Sequence, residues 1–314
     1  MEIRDAQGLI QKIRDNIGKV MVGKQDTLDL LLIALISHGH VLLEDIPGIG
    51  KTTLVSSLAK SLGLSFRRIQ FTPDVMPSDI TGFNLYNHKN AEFEFHPGAV
   101  MSQLILADEI NRTSPKTQSS LLEVMQENQV TVDGVTYPVP QPFMVMATQN
   151  PIEQVGTYPL PEAQLDRFML KVSLGYPTLQ EEMDIYARFA GHSPLAELKA
   201  VVSADELVEL QETVLTVFCA ESIRRYIATI AQNSRLHPDL ALGVSPRGAL
   251  MLMLAARGRA LLFGRNFILP DDVLAMASTV MSHRLLMKPE ARLRQVTIGS
   301  ILTEIIQSVP VPQA

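Results

Sequence analysis

The sequence contains a single cysteine, Cys219, among 314 residues. That excludes an intrachain disulfide framework and any metal site built from several thiolates. Within the apolar stretch Val217-Phe218-Cys219-Ala220, the thiol reads as a small core side chain. Long apolar runs are lacking as well. The stretch 30–36 falls far short of the ~18 residues that a spanning helix needs. The start, Met1-Glu2-Ile3-Arg4-Asp5, is charged at once, and no apolar core of an export signal follows. The expectation is a soluble, cytoplasmic protein without membrane insertion.

Positive charge is not in excess. With 27 Lys and Arg against 33 Asp and Glu, the formal net charge is −6. That argues against a protein that coats nucleic acid, although a local basic groove remains open. The 7 histidines include no pair at helical metal-ligand spacing with a carboxylate partner. No nucleophile elbow or Cys/His pair occurs either, and no internal repeat or low-complexity tract is visible. What remains is an apolar chain, 46% hydrophobic and 19% charged. It can build a sizeable core, which excludes a disordered polypeptide. The length suits two domains at ~150 residues each.

Pattern divides the chain into halves, 1–176 and 177–314. In the first, short apolar runs at 40–43, 66–69, 103–107, 143–147 and 168–172 alternate with amphipathic helical segments. Such alternation predicts an α/β fold, a parallel sheet between helices. Two hairpins interrupt it. Phe83-Asn84-Leu85-Tyr86 and Glu92-Phe93-Glu94-Phe95 alternate about a turn at 87–90. Val130-Thr131-Val132 and Val135-Thr136-Tyr137 flank Asp133-Gly134, a strong hairpin signal. After Tyr176-Pro177-Thr178 no strand candidates remain. Ser203-Ala204-Asp205-Glu206 reads as a capping box, Ser245-Pro246-Arg247 as a cap followed by proline at the first helical position, and 249–255 as an apolar, buried helix. The second half is expected to be a small all-helical domain.

The strongest feature is Asp45-Ile46-Pro47-Gly48-Ile49-Gly50-Lys51-Thr52, after a strand and before a helix at 53–62. That is the context a phosphate-binding loop requires. Glycines at 48 and 50 allow successive N–H groups to turn toward a phosphate at a helix N-terminus. Lys51 would reach the β- and γ-phosphates, and the Thr52 hydroxyl would take a Mg²⁺ position. With Pro47, Ile49 and Thr53, these residues form the expected nucleotide cradle. The first glycine of the usual pattern is replaced by Asp45.

Leu104-Ile105-Leu106-Ala107-Asp108-Glu109 is an apolar strand ending in two carboxylates. Asp108 would hold Mg²⁺ through water, and Glu109 would polarise the attacking water as general base. Taken alone, the pair would equally suit an acidic helix start. Asn150, in Ala147-Thr148-Gln149-Asn150-Pro151, could orient the lytic water or touch the γ-phosphate, or simply begin a turn; the residues leave both open. Arg167 could pair with Asp166 or Glu162. Arg247, in the first turn of its helix, opposes the helix dipole and needs a compensating reason such as a nearby anion.

These motifs, with the run Gly156-Thr157-Tyr158-Pro159-Leu160-Pro161-Glu162-Ala163-Gln164-Leu165-Asp166-Arg167-Phe168, resemble the MoxR family of AAA+ ATPases. The segment 149–168 is the most diagnostic, and the likeness extends over nearly the whole chain. It implies an AAA+ αβα nucleotide-binding domain with a helical lid, ATP and Mg²⁺ as cofactors, and a ring, commonly a homo-hexamer. It further implies Asn150 as sensor 1, Arg167 as an arginine finger reaching a neighbouring subunit, and Arg247 as sensor 2, in its own subunit or across the interface. Val22-Gly23 would lie near the adenine, and the hairpins would be inserts facing a ring pore. Family members act in chaperone-like maturation of protein complexes, often with partners carrying von Willebrand factor A domains. The motifs also leave open a DNA-acting AAA+ motor, a slowly hydrolysing nucleotide switch, and a chelatase-type subunit.

Overall fold

A computed structural model describes residues 1–44, 48–149, 156–191 and 193–312. In chain order these form α1 (Ile3–Gly18), α2 (Gln25–Ile36), β1 (Val41–Glu44), α3 (Lys51–Leu62), β2 (Phe66–Gln70), α4 (Pro77–Thr81), β3 (Gly82–Asn87), β4 (Glu92–Pro97), β5 (Leu104–Asp108), α5 (Pro115–Glu127), β6 (Gln129–Val132), β7 (Val135–Pro138), β8 (Met144–Gln149), α6 (Glu162–Leu165) and β9 (Leu170–Val172). There follow α7 (Leu179–Phe189), α8 (Pro194–Glu197), α9 (Ala204–Thr216), α10 (Glu221–Leu236), β10 (Leu240–Leu242), α11 (Pro246–Leu262), α12 (Pro270–Met281), β11 (Leu286–Met287), α13 (Pro289–Leu293) and α14 (Ile298–Gln307).

Among the described residues the central sheet has five parallel strands in the order β2-β5-β8-β1-β9. Its inner strands are apolar because both faces are covered: every residue of β5 is buried, as is β8 up to Gln149. The edge strand β2 differs. Its Arg67 and Arg68 are exposed, while Ile69 packs inward. The parallel topology brings the carboxyl ends of β1, β5 and β8 together, where open α/β sheets bind ligands.

The apolar interior has two parts. One covers a sheet face with α4 and α5, through Phe71, Ile105, Leu121, Met125 and Val145. The other runs from the opposite face through α1, α2 and α3 into the C-terminal helices, joining Ile10, Leu31, Leu54, Leu210, Leu252 and Met276 in one cluster. The helices after β9 therefore share a core with the first two helices of the chain. Close packing holds the contact of α11 on α2: a Cβ at Gly258 would lie 2.6 Å from the Ser37 hydroxyl.

The two hairpins form as their alternation predicts, β3 with β4 and β6 with β7. They touch, with Phe95 stacked on Tyr137 at 4.0 Å and the Asn84 amide donating to Asp133 at 2.9 Å. The C-terminal region is helical, with Ser203 and Glu206 capping α9 reciprocally. It adds one feature that no sequence signal announced. Strands β10 and β11 pair antiparallel, and at three and two residues they are too short to show an alternation. No helix among the described residues is long and apolar enough to cross a membrane.

Candidate nucleotide site

At the carboxyl end of the sheet a pocket of about 220 Å³ lies between two walls. Gly48, Gly50, Lys51, Thr52 and Thr53 form one, and Arg68, Gln70, Asp108 and Glu109 the other. The glycine requirement is conformational. Gly48 and Gly50 have φ of 85° and 92°, and a Cβ at either would meet nothing within 4 Å, so the left-handed backbone, not lack of space, selects glycine. Gly50 caps α3, whose first residues are Lys51 and Thr52, so the helix N-terminus opens onto the pocket. Pro47 and Asn150 lie outside the described residues.

The acidic wall is held by its neighbours. Asp108 ends β5 and is only 9% exposed. The Thr148 hydroxyl, on adjacent β8, donates to its Oδ1 at 2.6 Å. Thr148 Oγ1 also accepts from the Glu109 backbone N–H at 2.8 Å, so one side chain fixes both acids. Arg68 donates to Asp108 Oδ2 through Nε at 3.1 Å and Nη2 at 2.6 Å. Glu109 has left-handed backbone, φ 58°, a strained state for a non-glycine residue of the kind that collects at functional sites. Its Oε2 accepts from the Gln70 amide at 3.0 Å and pairs with Arg112 at 3.0 Å. A hard carboxylate oxygen at Asp108, across the pocket from the Thr52 hydroxyl and the phosphate-type loop, suits Mg²⁺ completed by phosphate and water oxygens.

A second, apolar pocket of about 220 Å³ adjoins the first, sharing Gly50 and Thr53. Val20, Met21, Val22, Lys24 and Ile49 line one side; Pro177, Ile185 and Phe189 of the α7 region line the other. Its size and chemistry fit a flat heterocycle. Gly23 (φ 67°) makes the turn beside it, pressed so closely on Glu181 that a Cβ would lie 1.6 Å from that carboxylate.

The two arginines lie elsewhere. Arg167 donates to the Leu122 carbonyl at 2.5 Å, and Arg247 to Gln126 Oε1 at 3.4 Å; both acceptors are in the later turns of α5. That end of α5 meets the amino ends of the strands, where His40 Nε2 bonds the Met125 carbonyl. Within one chain, therefore, the full length of the sheet separates Arg167 and Arg247 from Lys51. Neither expected partner of Arg167 holds it. Asp166 instead pairs with buried Arg284 at 2.8 Å and accepts from the Ser245 hydroxyl at 3.1 and 2.9 Å. Ser245 Oγ in turn caps α11 by accepting from Gly248 N–H at 2.9 Å. The residue before Arg167 and the residue two before Arg247 are thus joined in one network. Burial of Arg284, with Arg247 nearby, lowers its pKa against the pull of Asp166. Burial likewise pushes His40 down to about 4, with Arg247 adding to the effect.

Arg68, Gln70, Thr148 and Arg284 had no sequence signal of their own. The polar residues of β2 look like any exposed strand edge, and Arg284 like any helical cation.

A parallel sheet with a phosphate-type loop after β1 and paired acids after β5, followed by a helical region, defines a P-loop ATPase of the AAA type. Residues 40–170 match the model for the ATPase family associated with various cellular activities (AAA), and 232–305 match the AAA lid domain. The chain is 50% identical to the uncharacterized protein YeaC of Bacillus subtilis, over 98% of this chain and 96% of that one. It is 40% identical to Chaperone MoxR1 of Mycobacterium tuberculosis, over 95% of this chain and 81% of that one. The crystal structure of a candidate ATPase from Cytophaga hutchinsonii superimposes with a TM-score of 0.93 at 38% identity, over 99% of this chain and 97% of that one. The chain belongs to the MoxR family of AAA+ ATPases.

Proposed function

We propose that this chain hydrolyses ATP with Mg²⁺ as one subunit of a homo-hexameric ring and uses the cycle to remodel a protein client during maturation of a complex. The observation that carries this reading is the split of the machinery between the two ends of the sheet. Lys51, Thr52, Asp108 and Glu109 meet at one end. Arg167 and Arg247 are braced at the other through Asp166 and Ser245. A head-to-tail neighbour would bring the second set to the first, the geometry in which heterologous contacts close into rings.

In this scheme Lys51 and the N–H groups of the loop bind the phosphates, and Thr52 and Asp108 hold the metal. Mg²⁺, when bound, neutralises charge on the β- and γ-phosphates. Glu109 takes the proton of the attacking water, and Asn150 orients that water. Arg167 and Arg247 act across the interface on charge that develops at the γ-phosphate. The pocket between Val22 and Phe189 takes the adenine, with Gly23 at its edge. The coupled hairpins, with Phe93 71% exposed, face the client at the ring pore. Family resemblance supports a client carrying a von Willebrand factor A domain and a cytoplasmic setting.

The test is the ATPase rate per chain against protein concentration, with light scattering on the same samples, for the wild type and Arg167→Ala. A rate that rises with assembly and is lost in the variant supports the ring. A concentration-independent rate, equal in both proteins, overturns it.

A further inference from the structure

Arg68 places a guanidinium on the Asp108 carboxylate oxygen that Thr148 does not occupy, at the wall of the nucleotide pocket. Nε and Nη2 both donate to Oδ2, while Thr148 occupies Oδ1. The same Nη2 donates to Gln70 Oε1 at 2.8 Å, and the Gln70 amide donates to Glu109 at 3.0 Å. The two acids are thus linked through two residues of β2, in the order Asp108, Arg68, Gln70, Glu109. Arg68 and Gln70 are two apart on a strand, so they share its face toward the pocket. Their register is set by β2 pairing with β5, Gln70 opposite Asp108.

We propose that Arg68 is an internal counter-cation that closes the metal position of the nucleotide-free site and is exchanged for Mg²⁺ when the nucleotide enters. The inference rests on the nucleotide-site reading above and deepens it. The charge argument is direct. Asp108 is nearly buried, and a buried carboxylate without a cation is costly; Arg68 meets that need while the metal is absent. Arg68 is itself 46% exposed along its side chain, so solvent and the phosphates are available to it on release. A divalent ion arriving beside Asp108, directly or through a water, repels the guanidinium and weakens its hold on Oδ2, which favours release of Arg68.

Arg68 in this scheme is a positioning residue.

The experiment measures binding of a fluorescent ATP analogue at fixed concentration while Mg²⁺ is titrated, for wild type, Arg68→Gln, Asp108→Asn and the double variant. Matched thermal melts establish folding. Removing a competing charge a few ångströms from the metal should lower the half-saturating Mg²⁺ concentration several-fold, up to ~10-fold. In the Asp108→Asn background the same substitution should leave the Mg²⁺ requirement unchanged. An equal Mg²⁺ requirement in wild type and Arg68→Gln overturns the proposal, as does an increased one, which would make Arg68 an ordinary phosphate ligand. Lys51→Ala separates the two levels. If it fails to abolish binding of the analogue, the nucleotide-site reading falls; if it abolishes binding and Arg68→Gln has no effect on Mg²⁺, only this inference falls.

Discussion

Glu109 is held in left-handed backbone at a cost of about 1 kcal/mol, offset by the Thr148 hydroxyl on its N–H. A strained residue kept between Gln70 and Arg112 is a site under constraint, and its proposed role as base makes a definite prediction. Glu109→Gln should still bind ATP but turn over ~10²–10⁴-fold more slowly. Filter binding and single-turnover hydrolysis check the two halves separately, and unchanged turnover would remove Glu109 from the role.

His40 supplies a prediction of a different kind. Burial lowers its folded pKa to about 4, whereas the unfolded chain titrates near 6.5. Between those values the unfolded state binds the extra proton. Stability is therefore fully present above about pH 6.5 and falls as pH drops toward 4, by on the order of 3 kcal/mol from this residue. Urea unfolding from pH 7.5 to 4.5 should show that fall, and His40→Gln should make it shallower, leaving the part contributed by buried His283, whose pKa burial lowers to about 3.

At the scale of elements, the N-terminus of α11 is the critical join. Ser245 caps the helix and donates to Asp166, so one hydroxyl sets the direction of the helix that carries Arg247. Ser245→Ala should cost roughly 1–2 kcal/mol of stability, the usual penalty for a lost cap. It should also lower turnover in the assembled protein more than nucleotide affinity. Urea melts and ATP binding measured beside the hydrolysis rate distinguish these effects.

The sheet was largely legible in the sequence. Strands β5 and β8 are apolar on both faces, so they stand out as unbroken runs, and the Asp133-Gly134 turn announces its own hairpin. Strands β10 and β11 were not legible, because their pairing is imposed by helices α10, α11 and α12 that bring distant segments together. The polar ladder of β2 was equally silent. Alternating Arg68 and Gln70 satisfies an exposed edge and a site wall alike, and only register with β5 tells the two apart.

At the scale of the molecule, the sheet keeps the acids and the arginines at opposite ends, and in the proposed ring each site would be completed by two chains. Glu109→Gln and Arg167→Ala should each be nearly inactive alone, Arg167→Ala by up to ~10³–10⁵-fold. Mixed together, they should regain part of the wild-type rate. Some interfaces then pair an intact Glu109 from one chain with an intact Arg167 from the other. A mixture no more active than its components would mean that both residues act within one subunit.

The sequence by itself determined the chemistry on offer: a glycine loop ending in Lys51-Thr52, paired acids at the end of an apolar strand, and two arginines at marked positions. Those are local properties, carried by residue type and spacing. Only the tertiary structure decided which of them meet. Strand order and direction put Asp108 beside the loop, put Arg167 and Arg247 a sheet's length away, and laid Arg68 across Asp108. Such distances depend on how strands pair and helices pack, and neither spacing nor composition encodes them.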